Sequence, residues 1–265
     1  MAKVRYAVMS DAHANPVALE AALADAREQG CVKFLFLGDV TGYGYDAKKT
    51  LSIVRKNFDV ALLGNHDSAC LGRELSMADV MNPNYDLDRF QHDLLTKTDL
   101  KWLGSRRHFR AVDGMALAHG DFVRPEAWNY ILGRQDALDN FASRTESLMF
   151  CGHTHHCAVW ELSADGKVSC PSEAMARMPA TEPETVEFKR AEGARYIVNV
   201  GSVGYPRNDL CATYAICDPS EGSFALRRLP FDFESYIAGM IDRNLDLPLW
   251  LRRILAVARS QAAAG

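Results

Sequence analysis

Along the N-terminal half of the chain, apolar positions follow two alternating periods. Runs of about six β-rich apolar residues are separated by segments in which apolar positions recur every three to four residues, the pattern of buried strands alternating with amphipathic helices. Residues 4–9 read as a buried strand. Asn15 followed by Pro16 marks a helix start: the amide side chain caps free backbone N–H groups, and proline suits the first helical position. Val17, Leu19, Ala21, Leu23 and Ala24 carry the stripe on to Gly30, a stop signal. The spacing predicts a helix over 16–29, a strand over 32–37, a helix over 48–56 and a strand over 60–63. This β-α-β-α-β start implies a sheet built through crossover connections.

Residues 68–110 change character. A turn signal at Asn82-Pro83-Asn84 and helical periodicity over 87–95 and 100–103 predict a helical insert. Strands resume over 115–118, 148–151, 158–162, 196–200, 212–217 and 223–229, so the second half is strand-rich. Between them, residues 163–194 are polar, carry an Ala164-Asp165-Gly166 turn, and read as a hairpin with a mobile crest. Helices over about 233–243 and 248–262 close the chain. Leu247, Leu251, Ile254, Leu255 and Ala258 form a stripe that reads first as core packing and second as a contact between copies in a homo-oligomer. With no repeat and no long linker, residues 1–265 read as a single domain.

Composition narrows the classes. Hydrophobic residues make up 48% of the 265 and charged ones 24%, enough for a sizeable core under a solvated surface. The formal charge of −4 argues against duplex nucleic acid or an anionic membrane as a partner, since both call for a basic excess. No apolar run approaches the ~20 residues of a membrane span or the roughly 7–15 of a signal-peptide core, so a cytoplasmic location is expected. Seven cysteines without a Cys-x-x-Cys pair fit reduced thiols, and Cys151 and Cys157 read as packing groups.

The chemistry-bearing residues share one placement: each short polar cluster begins where an apolar strand ends. The clusters are Asp11-Ala12-His13, Gly38-Asp39, Gly64-Asn65-His66-Asp67, His119-Gly120-Asp121 and Gly152-His153-Thr154-His155-His156. Ligands of open α/β sheets bind outside the carboxyl ends of strands, so five such loops converge on one crevice. Imidazoles, carboxylates and an amide oxygen together suit first-row metals such as Mn, Fe or Zn. A pair of ions about 3.5–4 Å apart needs a bridging ligand, and Asp39 is the natural carboxylate for it. His153 and His155, on an extended loop, can give one ring to each ion.

In these motifs the chain resembles the calcineurin-like metallophosphoesterase superfamily, over nearly its whole length. Gly42-Tyr43-Gly44 and the run from Gly201 through Tyr205-Pro206-Arg207 look like the small bacterial and archaeal phosphodiesterase branch. The resemblance implies an α/β fold, a four-layer α/β/β/α sandwich of two mixed sheets with a binuclear metal site at strand C-terminal ends. It implies one ion held by Asp11, His13, Asp39 and His155, and a second by Asp39, Asn65, His119 and His153. His66 is then a group beside the substrate, with Asp67 orienting it. Three turns depart from the family pattern: Gly38-Asp39-Val40-Thr41-Gly42 lacks a second acid, Ala14 replaces a glycine, and Asn199-Val200-Gly201-Ser202 replaces Asn-Pro-Gly-Ser. None of these removes an expected ligand.

The expected reaction is hydrolysis of small phosphodiester or nucleotide-like substrates by direct attack of a metal-bridging hydroxide, with His66 serving the leaving oxygen. A dinucleoside polyphosphate hydrolase is the alternative, then a protein phosphatase, then a metal-bound regulatory protein. No Gly-x-Ser-x-Gly elbow or Gly-Lys-Ser/Thr loop competes for a covalent or nucleotide-cradling role. A non-haem iron oxygenase would use three ligands and leave Asn65, His119 and His153 without a role. Arg207 is a candidate phosphate fork or a solvated turn residue, and Asp121 and Arg124 are candidate pocket residues. Aromatic residues between 68 and 135, Tyr85, Trp102, Trp128 and Tyr130, are candidates for a base-stacking platform or for core. His92 and His108 read as ordinary packing histidines, and His156 as a substrate-side or solvent-facing group.

Overall fold

The computed structural model describes residues 4–72, 85–171, 182–207, 211–247 and Arg252. Two six-stranded mixed sheets lie face to face. The first runs in the order β3 (Val60–Ala61), β2 (Lys33–Phe36), β1 (Tyr6–Met9), β11 (Cys211–Asp218), β12 (Ser223–Pro230), β9 (Glu184–Lys189). The second runs β4 (Phe109–Val112), β5 (Met115–Ala118), β6 (Leu148–Cys151), β10 (Arg195–Val200), β7 (Cys157–Leu162), β8 (Val168–Ser169). Strands β1, β2 and β3 are parallel, as are β5, β6 and β10, while β11 and β7 join their sheets antiparallel.

Strand period explains the layers. Successive side chains point to opposite faces, and here both faces are apolar. Val8 of β1, Leu35 of β2 and Leu37 just after it meet Met115, Leu117, Phe150 and Val198 of the other sheet in the central core. The alternate residues Ala7, Met9, Phe34 and Phe36 pack outward against α1 (Pro16–Glu28) and α2 (Ala47–Asn57). On the far side, Ala116, Met149, Cys151 and Ile197 pack against Ala137 and Phe141 of the helix Arg134–Ser143. The result is the α/β/β/α arrangement expected from the sequence.

Local chemistry fixes α1 as predicted. The Asn15 side chain accepts from Ala18 N at 3.1 Å and Pro16 opens the helix. The same amide also donates to Gly204 O at 2.9 Å, so Asn15 does more than cap: it ties the helix start to the segment after β10. At the other end of α1, buried Asp25 takes a forked pair from Arg227 of β12 and a hydrogen bond from Tyr214 of β11.

Four features differ from the sequence expectation. Residues 163–194 are not one hairpin: β7 turns at Ala164-Asp165-Gly166 into β8, whereas β9 lies at the edge of the other sheet beside β12. An exposed edge strand needs little apolar content, and the alternation in β9 rests on Val186 and Phe188 alone. Strand β4 begins at Phe109, inside the last two residues of the stretch expected to be helical insert, after the helices Tyr85–Leu94 and Lys97–Gly104. The short helix Asn65–Cys70 and the helix Arg134–Ser143 were not anticipated. Asn82-Pro83-Asn84, the crest around 172–181 and all but Arg252 of the closing helix 248–262 lie outside the described residues. No helix among the described residues is long and apolar enough to cross a membrane.

Candidate metal centre

All seven expected ligands come together at the strand ends. Asp11, His13 and His155 place ligand atoms within 4.8 Å of one another, as do Asp39, His119 and His153, and also His13, Asp39 and His66. In the first trio the edges are 3.0 Å (His13 Nε2 to His155 Nε2), 3.3 Å (His155 Nε2 to Asp11 Oδ1) and 3.6 Å (His13 Nε2 to Asp11 Oδ1). Ligands 2.0–2.1 Å from a tetrahedral metal stand about 3.3 Å apart, so the triangle has metal-site dimensions. In the second, His119 Nε2 lies 3.2 Å from both Asp39 Oδ2 and Asn65 Oδ1.

Hydrogen bonding divides the ligand atoms into anchored and open sets. His13 Nδ1 faces Thr41 O at 2.9 Å and His155 Nδ1 faces Tyr205 O at 2.8 Å. A carbonyl only accepts, so both protons sit on Nδ1 and both Nε2 atoms present bare lone pairs. Asp11 Oδ2 accepts from His153 N at 3.0 Å and Asp39 Oδ1 from His66 N at 2.9 Å. Their other oxygens, Asp11 Oδ1 and Asp39 Oδ2, are buried without a hydrogen-bond partner. Two bare imidazole nitrogens 3.0 Å apart beside two orphaned carboxylate oxygens are what a cation would satisfy, so the donor set fits first-row metal ions.

Burial sets the charge states. It pushes His13 down to about 4 and His153 to about 3, keeping both rings neutral and available as ligands. Burial also opposes charge on His119, but Asp39 and Asp11 outweigh it and lift the ring to about 9. Against the same burial, the neighbouring histidines hold the Asp11 and Asp39 carboxyls well below the usual carboxylate range.

The backbone is shaped to this cluster. Asp11, His13, Asp39, His153 and His155 all have left-handed φ, between 44° and 67°, and so does Ala14 at 49°, where the family's glycine would be easier to accommodate. Gly42, at φ +92°, has no room for a side chain: a Cβ there would stand 2.7 Å from His66 Nδ1. At Gly64 a Cβ would meet Asp39 Oδ1 at 2.1 Å.

Asp67 stands where the sequence put it but acts on a different target. Its Oδ2 accepts from Asp39 N (2.9 Å) and Gly64 N (3.1 Å), and its Oδ1 from Thr41 N (3.0 Å) and Thr41 Oγ1 (3.1 Å). The carboxylate clamps the loop bearing Asp39. His66 lies edge-on to His13 at 5.1 Å and against Tyr43 at 4.5 Å, and Tyr43 stacks on Tyr205 at 4.1 Å.

Other candidates separate. Tyr130 stacks on His153 at 4.4 Å and is 46% exposed, so it borders the cluster. Buried Asp121 accepts from Asn129 Nδ2 at 3.2 Å and pins the loop that carries Tyr130, while Arg124 is exposed. Arg207 is exposed at the rim, and its charge acts, after burial, to lower the half-buried His156. His92 Nδ1 donates to Cys70 O at 2.7 Å, a packing contact, and His108 packs on Trp128. Trp102 belongs to the core margin. Burial pushes the Cys151 thiol up, which suits a packing role. Sequence reasoning missed Gln91, fully buried, whose side chain accepts from Gly42 N (2.7 Å) and donates to Gly44 O (2.9 Å). It also missed Ser202, whose hydroxyl donates to Asp11 O.

Two mixed sheets thus carry, on their strand-end loops, an Asp/His/Asn cluster whose geometry could hold metal ions. Residues 4–222 match the sequence model of the calcineurin-like phosphoesterase superfamily domain, and the chain belongs to that superfamily. Membership implies a hydrolase acting on phosphate esters. The chain is 27% identical over 270 residues to an uncharacterised protein of Methanocaldococcus jannaschii, covering 98% of this chain and 100% of that one. It is 30% identical to a metallophosphoesterase from Sphaerobacter thermophilus of known structure, with TM-score 0.76, covering 94% of this chain and 98% of that one. A hypothetical protein from Pyrococcus horikoshii shares the fold at 14% identity, with TM-score 0.69 over 92% and 94% of the two chains.

Proposed function

We propose that the protein hydrolyses small phosphodiesters at a centre of two metal ions. The observation that carries this reading is the pair of orphaned oxygens, Asp11 Oδ1 and Asp39 Oδ2, among bare imidazole nitrogens. Asp11, His13, Asp39 and His155 would hold one ion, and Asp39, Asn65, His119 and His153 the other. When bound, such ions supply electrophilic activation of the phosphoryl group and a water acidic enough to attack near neutral pH.

The chain's own residues do the rest. His66, at the start of the helix Asn65–Cys70, is buried beside His13 and Asp39, within reach to pass a proton to a leaving oxygen. Asp67 and Gln91 hold the Asp39 and Gly42 loops, so the ligand atoms are set before substrate arrives. Arg207 at the rim gives a fork for a phosphate oxygen. A diester carries one negative charge and a second organic group, and Tyr130, exposed and stacked on His153, offers an aromatic face beside the cluster to hold that group. That face favours diesters over dianionic monoesters.

The test is metal analysis of the purified protein followed by a substrate panel. About two ions per chain and faster turnover of bis-aryl than of mono-aryl phosphate are expected. Activity without metal, or on monoesters alone, would overturn the reading.

A further inference from the structure

Three arginines stand around a small cavity that shares no residue with the His/Asp cluster. The cavity, of about 160 Å³, lies between the outer strands of the two sheets, β3 and β4, and is lined by Asp59, Ser105, Arg106, Arg107 and Arg110 with the two residues of β3. Its charge is not balanced. Asp59 is its only acid, and both of its oxygens are engaged elsewhere, Oδ1 by Lys33 Nζ and Oδ2 by Phe34 N, each at 2.9 Å. Arg106 donates to Trp102 O and Ser105 Oγ and lies over the Trp102 ring at 4.4 Å, with no carboxylate partner. Among the described residues, Arg107 and Arg110 make no side-chain hydrogen bond or ion pair. Burial, reinforced by repulsion from Arg110 and Arg55, depresses the Arg106 guanidinium.

Like charges gathered without a counter-ion are stabilised by an anion, and guanidinium forks match tetrahedral oxyanions. That volume is well above the ~10–15 Å³ one water needs, enough for one oxyanion, and well short of the ~300 Å³ at which pockets for larger ligands begin. We infer that this cavity is a second anion site, which takes a single phosphate-class oxyanion, either free or as the terminal group of a phosphorylated small molecule.

Calorimetric titration of the metal-loaded protein with inorganic phosphate at low ionic strength tests this. The variant is Arg107→Gln with Arg110→Gln, both exposed positions; Arg106 is kept because it packs on Trp102. The parent protein should bind one more equivalent of phosphate than the variant, or bind it at least roughly tenfold more tightly at that site, while kcat is the same in both. The variant's circular dichroism spectrum and melting temperature should match the parent's. Methylphosphonate, whose carbon–phosphorus bond resists hydrolysis, separates the sources: binding equal to that of phosphate means a terminal group is accepted, and binding tenfold weaker means the free ion. Equal stoichiometry and affinity for phosphate in parent and variant would overturn the site.

Discussion

Replacing Asp67 by asparagine separates two roles that one carboxylate could play. As found, Asp67 accepts four hydrogen bonds from Asp39 N, Gly64 N, Thr41 N and Thr41 Oγ1. Asparagine keeps the shape but makes one oxygen an NH2 donor. The better orientation turns that donor to Thr41, whose hydroxyl can reverse and accept, leaving Thr41 N buried without an acceptor. That orphan costs about 1–3 kcal/mol, and the two remaining bonds weaken by about 1 kcal/mol each on losing the charge, so the total is about 3–5 kcal/mol. In the metal-free protein part of this is offset. Burial, and next the charge of Asp39, push Asp67 up to about 7, so removing its charge relieves repulsion. Cations bound to Asp39 screen that repulsion already, so in the loaded protein the loss stands in full. The difference between the two states appears as metal binding weaker by about 10–100-fold, the range found for residues behind metal ligands. Titration of chelator-stripped protein with Mn²⁺, read by turnover and by equilibrium dialysis, measures it. Unchanged metal affinity with a depressed kcat would refute the clamp and return Asp67 to His66.

Three further outcomes are expected. His66→Ala should lower kcat by about 10²–10⁴-fold with metal content intact, and loss of metal with turnover retained would remove His66 from the proton-transfer role. Tyr130→Ala should raise KM for a bis-aryl phosphate by about fivefold or more, as loss of one aromatic stack would, with a smaller change for an alkyl-aryl diester; equal changes would place the damage in His153 instead. At Asp25, burial opposes ionisation, but Arg227 and then Tyr214 outweigh it and hold the carboxyl below its usual range. A depressed folded pKa means stabilisation present above the unfolded value of about 3.9 and lost as pH falls through the folded value. Asp25→Asn leaves Arg227 uncompensated, worth about 3 kcal/mol, or a Tm lower by about 6–12 °C at pH 7. The gap should narrow below about pH 3.9 in scanning calorimetry; a gap constant from pH 7 to 3 would show that the pair contributes no charge-dependent stability.

How much of this was legible in the chain depends on where each interaction is written. The candidate ligands were readable because each sits where an apolar run stops, so a change in pattern and an unusual residue type coincide, as at Met9-Ser10-Asp11 or Cys151-Gly152-His153. The supports were not. Gln91 holds Gly42 N and Gly44 O, and Asn199 holds Gly152 O, and a backbone N–H or carbonyl has no letter in the sequence. Asp67 was visible, yet its partners are backbone groups of Asp39, Thr41 and Gly64, so its neighbour His66 seemed the natural target. Strand β9 was hidden for the opposite reason: it is exposed, and its place is set by pairing with β12 rather than by burial. These supports share one task. Left-handed backbone costs an ordinary L-residue about 1–2 kcal/mol, and His153 and His155 hold it at 67° and 62° without the local hydrogen bonding that lets Asp tolerate it. Asn199 bonds both Gly152 O and Thr154 Oγ1, and Tyr205 O anchors the His155 ring. The strain of the ligand loop is thus carried by the segment from Asn199 to Tyr205, which also reaches across to Asp11 through Ser202. One segment therefore positions candidate ligands drawn from both sheets while supplying none itself.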